Sequence, residues 1–342
     1  MTITRSVPSA TNGFRSEVLA GLLRPQKELP AKYFYDTAGS LLFDRICELP
    51  EYYPTRTESS IMRQFAAAMA VRCGADCLLV ELGAGSLTKV RLLLEHLERP
   101  AGYVPVDVSG EHLRAATRAL SRDHPDLDVR PVVADFTAPF ELPRLAARRR
   151  VVYFPGSTIG NFEPAEADAL LRQVAQLVGR GGGLLLGVDL IKPVAVMEQA
   201  YNDSAGVTAA FNRNLLVRIN RELGADFDPS AFRHHAFFNA ERSRIEMHLV
   251  SNRQQRVRLG STVFDLRAGE SIHTENSHKY DVRKLAARAA ACGLRLDSQW
   301  TDDKNYFAVL DLTAVECGSP REPRGSERRA TRLDTRQQPS GA

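Results

Sequence analysis

Between Cys77 and Val188, short apolar runs alternate with amphipathic stretches, and the first junction between them is a glycine turn. Few architectures accept that pattern. Strands buried on both faces read as continuous apolar runs, and parallel strands need long crossovers, usually helical, to join them. Cys77-Leu-Leu-Val-Glu81 reads as a buried strand, and beyond Gly83-Ala84-Gly85 the residues Leu87, Val90, Leu93, Leu94 and Leu97 recur at helical spacing. Tyr103 to Val108 predicts a second strand, Glu111 to Arg122 a helix, Val129 to Ala134 a third strand and Val151 to Phe154 a fourth. The fourth runs into the loop Gly156-Ser157-Thr158-Ile159-Gly160-Asn161, Ala165 to Val178 returns as a helix, and Leu184 to Val188 is a fifth strand. The expected fold class is α/β, a Rossmann-like, mostly parallel sheet with helices on both faces.

From Asp189 the rhythm changes. A long amphipathic run, Thr208 to Leu223, precedes alternating segments such as Arg244 to Val250 and Arg256 to Leu259, which reads as an inserted α+β subdomain. A helix over Val282 to Cys292 and the apolar run Phe307 to Leu312 are expected to return to the sheet as its closing edge. The predicted organisation is a mainly helical N-terminal segment covering the site (1–69), a cofactor domain (70–190 and 281–315), a substrate subdomain (191–280) and a disordered tail (316–342).

Composition narrows the function. Of the 342 residues 44% are hydrophobic and 25% charged, ordinary globular usage, and no run approaches the roughly 18 apolar residues of a membrane span. No signal-peptide core opens the chain, so a soluble cytoplasmic protein is expected. The tail from Cys317 holds six arginines against Glu322, Glu327 and Asp334 and so accounts for +3 of the net +4, leaving no basic stripe for nucleic acid in the body. Five scattered cysteines form no CxxC pair, and the neighbours His234 and His235 would face opposite sides of a strand, so no metal is expected. No exposed apolar helix stands out, which favours a monomer.

A glycine turn between strand and helix lets backbone approach a ligand closely, with the helix N-terminus aimed at it. The third glycine of the dinucleotide fingerprint is absent here, since position 88 is Thr. Asp107, 24 residues beyond Gly83, ends the second strand as an acceptor for a ribose diol, and Asp135-Phe136 ends the third. Glycine and acidic groups at three strand ends converge on the switch point of an open sheet, and the cofactor this arrangement suits is S-adenosylmethionine.

Tyr33-Phe34-Tyr35-Asp36, Leu49-Pro50-Glu51-Tyr52-Tyr53-Pro54-Thr55-Arg56, Glu81-Leu82-Gly83, the loop 156–161, Ala205-Gly206-Val207-Thr208-Ala209-Ala210-Phe211-Asn212, Arg244-Ile245-Glu246-Met247 and Thr274-Glu275-Asn276-Ser277 occur in order. Together they resemble the histidine-specific Nα-methyltransferases of ergothioneine biosynthesis, from about Leu22 to Leu312. That resemblance implies a Rossmann-like methyltransferase fold in which Gly83, Lys89, Asp107, Asp135 and Phe136 hold S-adenosylmethionine, while Tyr52, Asn161, Tyr201, Glu275 and Ser277 hold L-histidine. Residue chemistry agrees with those roles: an amide at Asn161 can meet both a carboxylate and an amine, and Glu275 with Ser277, two apart on a strand, can reach both imidazole nitrogens. Tyr35 and Thr208 are further pocket candidates, and Met247 is expected to face inward as core or substrate contact.

The implied reaction is trimethylation of the histidine α-amine to hercynine, driven mainly by alignment of the amine with the methyl donor. Asn161 would aim the nitrogen, and with no evident His or Lys base the proton would leave through water or a tyrosine such as Tyr35. Two other readings fit the same fold: methylation of another amine such as tryptophan, and a non-catalytic cofactor-binding regulator whose basic tail binds nucleic acid.

Overall fold

The computed structural model describes residues 10–85 and 87–315. The Arg-rich tail, expected to be disordered, lies outside the described residues. Helix α1 (Ala10–Leu22) leads to the two-residue strand β1 (Lys27–Glu28), and a 3-10 turn over Ala31–Phe34 holds the first aromatic cluster. Helix α2 (Thr37–Glu48) starts where the Asp36 carboxylate accepts from Gly39 N at 2.8 Å, and α3 (Tyr53–Cys73) starts with Pro54 in its first turn and ends at Gly74, φ +81°.

The βα alternation follows as β2 (Cys77–Leu82), α4 (Thr88–Leu94), β3 (Gly102–Asp107), α5 (Gly110–Asp123), β4 (Val132–Val133), β5 (Arg149–Phe154), α6 (Pro164–Val178) and β6 (Gly183–Asp189). Every residue of β2 and of β6 is buried, as strands covered on both faces require. Helices α7 (Val194–Tyr201) and α8 (Val207–Leu223) lead to β7 (Phe232–Asn239), β8 (Arg244–Ser251), β9 (Gln255–Leu259), β10 (Thr262–Leu266) and β11 (Ser271–His278). Helix α9 (Val282–Ala291), β12 (Leu294–Thr301) and β13 (Phe307–Ala314) complete the described chain.

Seven strands form one sheet in the order β12-β13-β6-β5-β2-β3-β4, parallel from β6 to β4, with β13 antiparallel to β6 and β12 antiparallel to β13. One face packs on α6 and α9 through Leu170, Leu171, Leu285 and Ala289; the other packs on α3, α4 and α5 through Ile61, Met69, Val90, Leu93 and Leu113. A second sheet, β1-β11-β8-β7, shares a core with α1, α2, α7 and α8.

Three sequence expectations change. The third strand shrinks from Val129–Ala134 to Val132–Val133, leaving an isolated bridge from Val129 to Tyr103 in the same register, because Pro105 and Pro131 fall opposite each other between the two and neither has an N–H for the ladder. The run Phe307 to Leu312 is not the closing edge: β13 lies inside the sheet, and the edge is β12, whose alternating buried and exposed residues conceal a strand with one wet face. The N-terminal segment, expected as a mainly helical cover, takes part in both sheets: β1 pairs in parallel with β11 and α3 packs on the large sheet.

Candidate active site

The switch point of the large sheet lies between β2 and its neighbours β3 and β5, and the chain turns there on glycine. Gly83 (φ +68°) and Gly85 (φ +52°) both occupy the left-handed region. A side chain on Gly83 would fill the gap to the Phe136 ring, whose Cε1 lies 3.7 Å from the position of its Cβ. Asp107, at the end of β3, accepts from Gly85 N at 3.3 Å and from Ser109 N at 2.8 Å, so it braces the turn and still has lone pairs for a diol. Asp135 accepts from Thr137 N at 3.0 Å and pairs with Lys32 at 3.5 Å; burial raises its pKa, but these bonds outweigh burial and hold the carboxyl below its usual range. A glycine cradle, an acidic strand end and an aromatic plate fit an adenosyl group with its ribose.

Lys89, in the first turn of α4, forms an ion pair with Glu58 of α3, a carboxylate with no exposed surface. Both Glu58 oxygens also accept from Gly156 N at 3.0 Å. Gly187 of β6 makes room for this carboxylate, since a Cβ there would come 2.3 Å from Glu58 Oε1. Glu58 therefore ties the turn after β2 to the loop after β5.

That loop is tightly wound, with Gly156 (φ +76°) and Ser157 (φ +57°) both left-handed. Ser157 Oγ accepts from Asp189 N at 2.9 Å, and Gly160 packs so closely on β11 that a Cβ would lie 3.0 Å from His278 O. Asn161 is thereby set beside the strand that carries Glu275 and Ser277.

A cavity next to this loop is lined by Tyr35, Tyr52, Asn161, Tyr201, Thr208, Met247, Glu275 and Ser277. These are all eight residues expected at the substrate site. Phe43, Ile46, Pro54, Phe211 and Asp189, together with Gly156 to Thr158, complete the wall. The aromatic groups brace each other edge-on, with Tyr52 6.1 Å from Tyr201 and Tyr35 5.6 Å from Phe43 between ring centroids. The five residues expected at the cofactor site lie apart from this lining, but Gly156 bridges the two regions, its Cβ position 3.4 Å from Lys89 Nζ.

Glu275 is the anomaly in the wall. Its half-buried carboxylate accepts no hydrogen bond from another described residue, and burial pushes it up to about 7 although Lys279 pulls the other way. A β-bulge between His273 and Glu275 creates this exposure to the cavity. Strict alternation would put His273 and Glu275 on one face; the bulge sends His273 to the outer face and Glu275 inward.

Behind the cavity lies a buried polar network. Tyr201 donates to Ser277 Oγ at 2.7 Å, and Lys279 Nζ donates to Ser277 Oγ at 2.8 Å, Tyr201 OH at 3.3 Å and Asp189 Oδ2 at 2.7 Å. Asp189 also accepts from Tyr53 OH at 2.7 Å and pairs with Lys192, whose ammonium burial lowers to about 8. His234, on the inner face, donates from Nε2 to Tyr201 O at 2.7 Å and so fixes the backbone there.

Sequence reasoning overlooked Glu58, Asp189, Lys192 and Lys279. Lys279 had a signal, because it stands two residues past Ser277 and alternation places both on one side. Glu58 had none, since its partners are at positions 89 and 156. On the far face of the second sheet, Glu246, His248 and His273 place one ligand-type atom each within 4.8 Å. There His248 meets Glu246 Oε2 at 3.3 Å and stacks on His273 at 4.9 Å, so the group is already internally paired.

A glycine-turned switch point, joined by one shared loop to a cavity of aromatic and polar side chains, suits a Rossmann-like methyltransferase. The chain belongs to the histidine-specific, S-adenosylmethionine-dependent methyltransferases, whose family description matches residues 14–314. It is 43% identical over 307 residues to the histidine N-alpha-methyltransferase of Mycolicibacterium smegmatis, covering 88% of this chain and 95% of that one. It is 44% identical over 301 residues to the Mycobacterium tuberculosis enzyme of the same name, covering 86% and 93%. A more distant relative is the ergothioneine biosynthesis protein 1 of Neurospora crassa, 28% identical over 310 residues, which cover 84% of this chain and 34% of the fungal protein.

Proposed function

We propose that this chain transfers methyl groups to the α-amine of L-histidine until the nitrogen is quaternary, giving hercynine, an ergothioneine precursor. The observation that carries the reading is Glu275, a carboxylate without a hydrogen-bond partner among the described residues, beside the hydroxyl of Ser277 in the cavity wall. A pocket for an apolar side chain would leave that carboxylate unpaired at a cost of a few kcal/mol, whereas an imidazole N–H satisfies it. Two relatives with 43% and 44% identity bear the name histidine N-alpha-methyltransferase, which supports the same substrate.

In this reading Gly83, Lys89, Asp107, Asp135 and Phe136 hold S-adenosylmethionine, which supplies an electrophilic methyl group when bound. Residues 191–280 form the substrate unit and the N-terminal segment closes over it. Tyr52, Tyr201 and Asn161 hold the amino-acid end, Glu275 and Ser277 the ring, and Thr208 and Met247 complete the wall. Asn161 aims the amine; fixing the nitrogen in line can supply on the order of 7–11 kcal/mol. Tyr35 cannot serve as a phenolate, because burial and then the nearby Glu275 hold its pKa well above the ordinary value. It passes a proton only as a neutral hydroxyl that donates and accepts together. Among the described residues Cys47, Cys73, Cys77 and Cys292 form no disulfide, which supports a cytoplasmic setting, and no helix there is long and apolar enough to cross a membrane. The reading also has the chain act as a monomer, without nucleic acid.

Replacing Glu275 by Ala is expected to weaken histidine binding by about 10- to 100-fold, the worth of a hydrogen bond to a charged group, with cofactor affinity unchanged by calorimetry. Equal loss of both affinities would assign Glu275 to general integrity rather than to the ring.

A further inference from the structure

The hydroxyls of Ser277 and Tyr201 share a peculiarity of hydrogen-bond supply. Lys279 Nζ donates to both oxygens, at 2.8 and 3.3 Å, and the hydroxyls are themselves 2.7 Å apart. Each hydroxyl has one proton to give and two lone pairs. One of the two protons joins the pair to each other; the second has no acceptor among the described residues, and both residues line the cavity. As the bonds run here, Tyr201 donates to Ser277, so both Ser277 lone pairs are filled and its proton is the one left over. An ammonium cannot accept, so the pair keeps one proton to donate whichever way its own bond runs, and with Tyr201 donating to Ser277 that proton is the one on Ser277.

We infer that Lys279 is a positioning residue that sets the polarity of the ring subsite: Ser277 is made a donor toward the substrate, Glu275 remains its acceptor, and the site selects a neutral imidazole in one tautomer. The inference rests on the histidine reading above and adds the protonation state in which the ring is taken. A neutral imidazole presents one N–H and one bare nitrogen, which match Glu275 and Ser277; an imidazolium presents two N–H groups and finds a donor opposite the second.

The surroundings keep Lys279 charged. Burial alone would lower its pKa, but Asp189 overrides burial and holds the ammonium above its usual range. Its charge also opposes the rise of the Glu275 carboxyl caused by burial. The charged and titratable groups around this corner are Asp189 at the end of β6, Lys192 beyond it, Tyr53 of α3, Tyr201 of α7, and Tyr35 and Tyr52 across the cavity. Burial holds all four tyrosines protonated. Asp189 keeps Lys192 as a partner when Lys279 is neutralised, so the pair need not collapse.

The test is calorimetric binding of histidine to the full chain with S-adenosylhomocysteine present, between pH 5.5 and 8.5, alongside KM and kcat. The wild type should bind histidine more weakly as pH falls through about 7. Lys279→Met should raise KM about tenfold or more at pH 8 with kcat within about threefold, and move the low-pH limb to higher pH, because Glu275 loses the charge that keeps it ionised. Lys279→Arg should restore most of the affinity and the original limb. Lys279→Met with wild-type affinity and an unmoved limb would overturn the inference. Should Lys279→Met fail to fold in a thermal melt, Ser277→Ala decides: it leaves the Lys279–Asp189 pair in place, and unchanged histidine affinity there would overturn the inference equally. A wild type that binds the cofactor product but no histidine overturns the histidine reading itself, and this inference with it.

Discussion

The Glu275 carboxyl is held up to about 7 by burial, against an ordinary carboxyl in the unfolded chain, so its ionised form is disfavoured by folding. Below about pH 4.5 the group is protonated in both states and costs nothing. As pH rises toward 7 the unfolded chain releases its proton first, and above 7 the folded protein bears the full penalty. Glu275→Gln is therefore expected to raise stability by on the order of 2 kcal/mol at pH 8 and by little at pH 4.5, read as the difference in melting temperature from wild type at the two pH values. The same substitution should weaken histidine binding, so stability and function move in opposite directions at one residue. A melting temperature lowered at pH 8 would show that Glu275 has a stabilising partner. The family resemblance carried by Thr274-Glu275-Asn276-Ser277 made Glu275 and Ser277 legible as a pair, and their spacing of two along a strand agreed with it. What sequence could not supply was the charge behind them, because Asp189 reaches Lys279 across 90 positions.

Among the elements, β11 does the most. It pairs with β1 and β8, takes the close approach of Gly160, and uses its bulge to turn Glu275 into the cavity while His273 stays outside. A strand was expected there, but periodicity of two carries no sign of a bulge, so the neighbours of Glu275 were not legible. The edge strand β12 was missed for a related reason, as one solvated face left no apolar run to read. The crossing of β6 with α3 yields a sharper prediction. Gly187→Ala would place a Cβ against Glu58, displacing the carboxylate that holds Lys89 and Gly156 N. Overpacking of this kind typically costs about 1–3 kcal/mol, so a lowered melting temperature is expected, together with weaker cofactor binding by calorimetry. Intact cofactor affinity in a folded Gly187→Ala protein would remove Glu58 from the support of that site.

At the scale of the molecule, the alternating pattern from Cys77 to Val188 was enough to give the five parallel strands of the large sheet, since each strand and helix there forms from contiguous residues. The second core was not legible, because it joins residues near the N-terminus, such as Phe14 and Phe34, to Phe211, Ile245 and Leu249. That long-range union also encloses the cavity, so the substrate unit is not expected to fold without the N-terminal helices. Residues 316–342 lie outside the described residues. Deleting residues 316–342 should leave turnover within about twofold, a change too small to reflect a lost contact of 1 kcal/mol. Salt-sensitive nucleic-acid binding that disappears with the tail would instead mark a separate regulatory role.

The histidine reading is tested most directly by mass spectrometry of the products formed when the full chain is incubated with S-adenosylmethionine and each of the twenty amino acids in parallel. Nα-trimethylated histidine should dominate, with other amino acids methylated weakly or not at all. Dominant methylation of a different amino acid would contradict the role given to Glu275 while leaving the fold and the cofactor site as described.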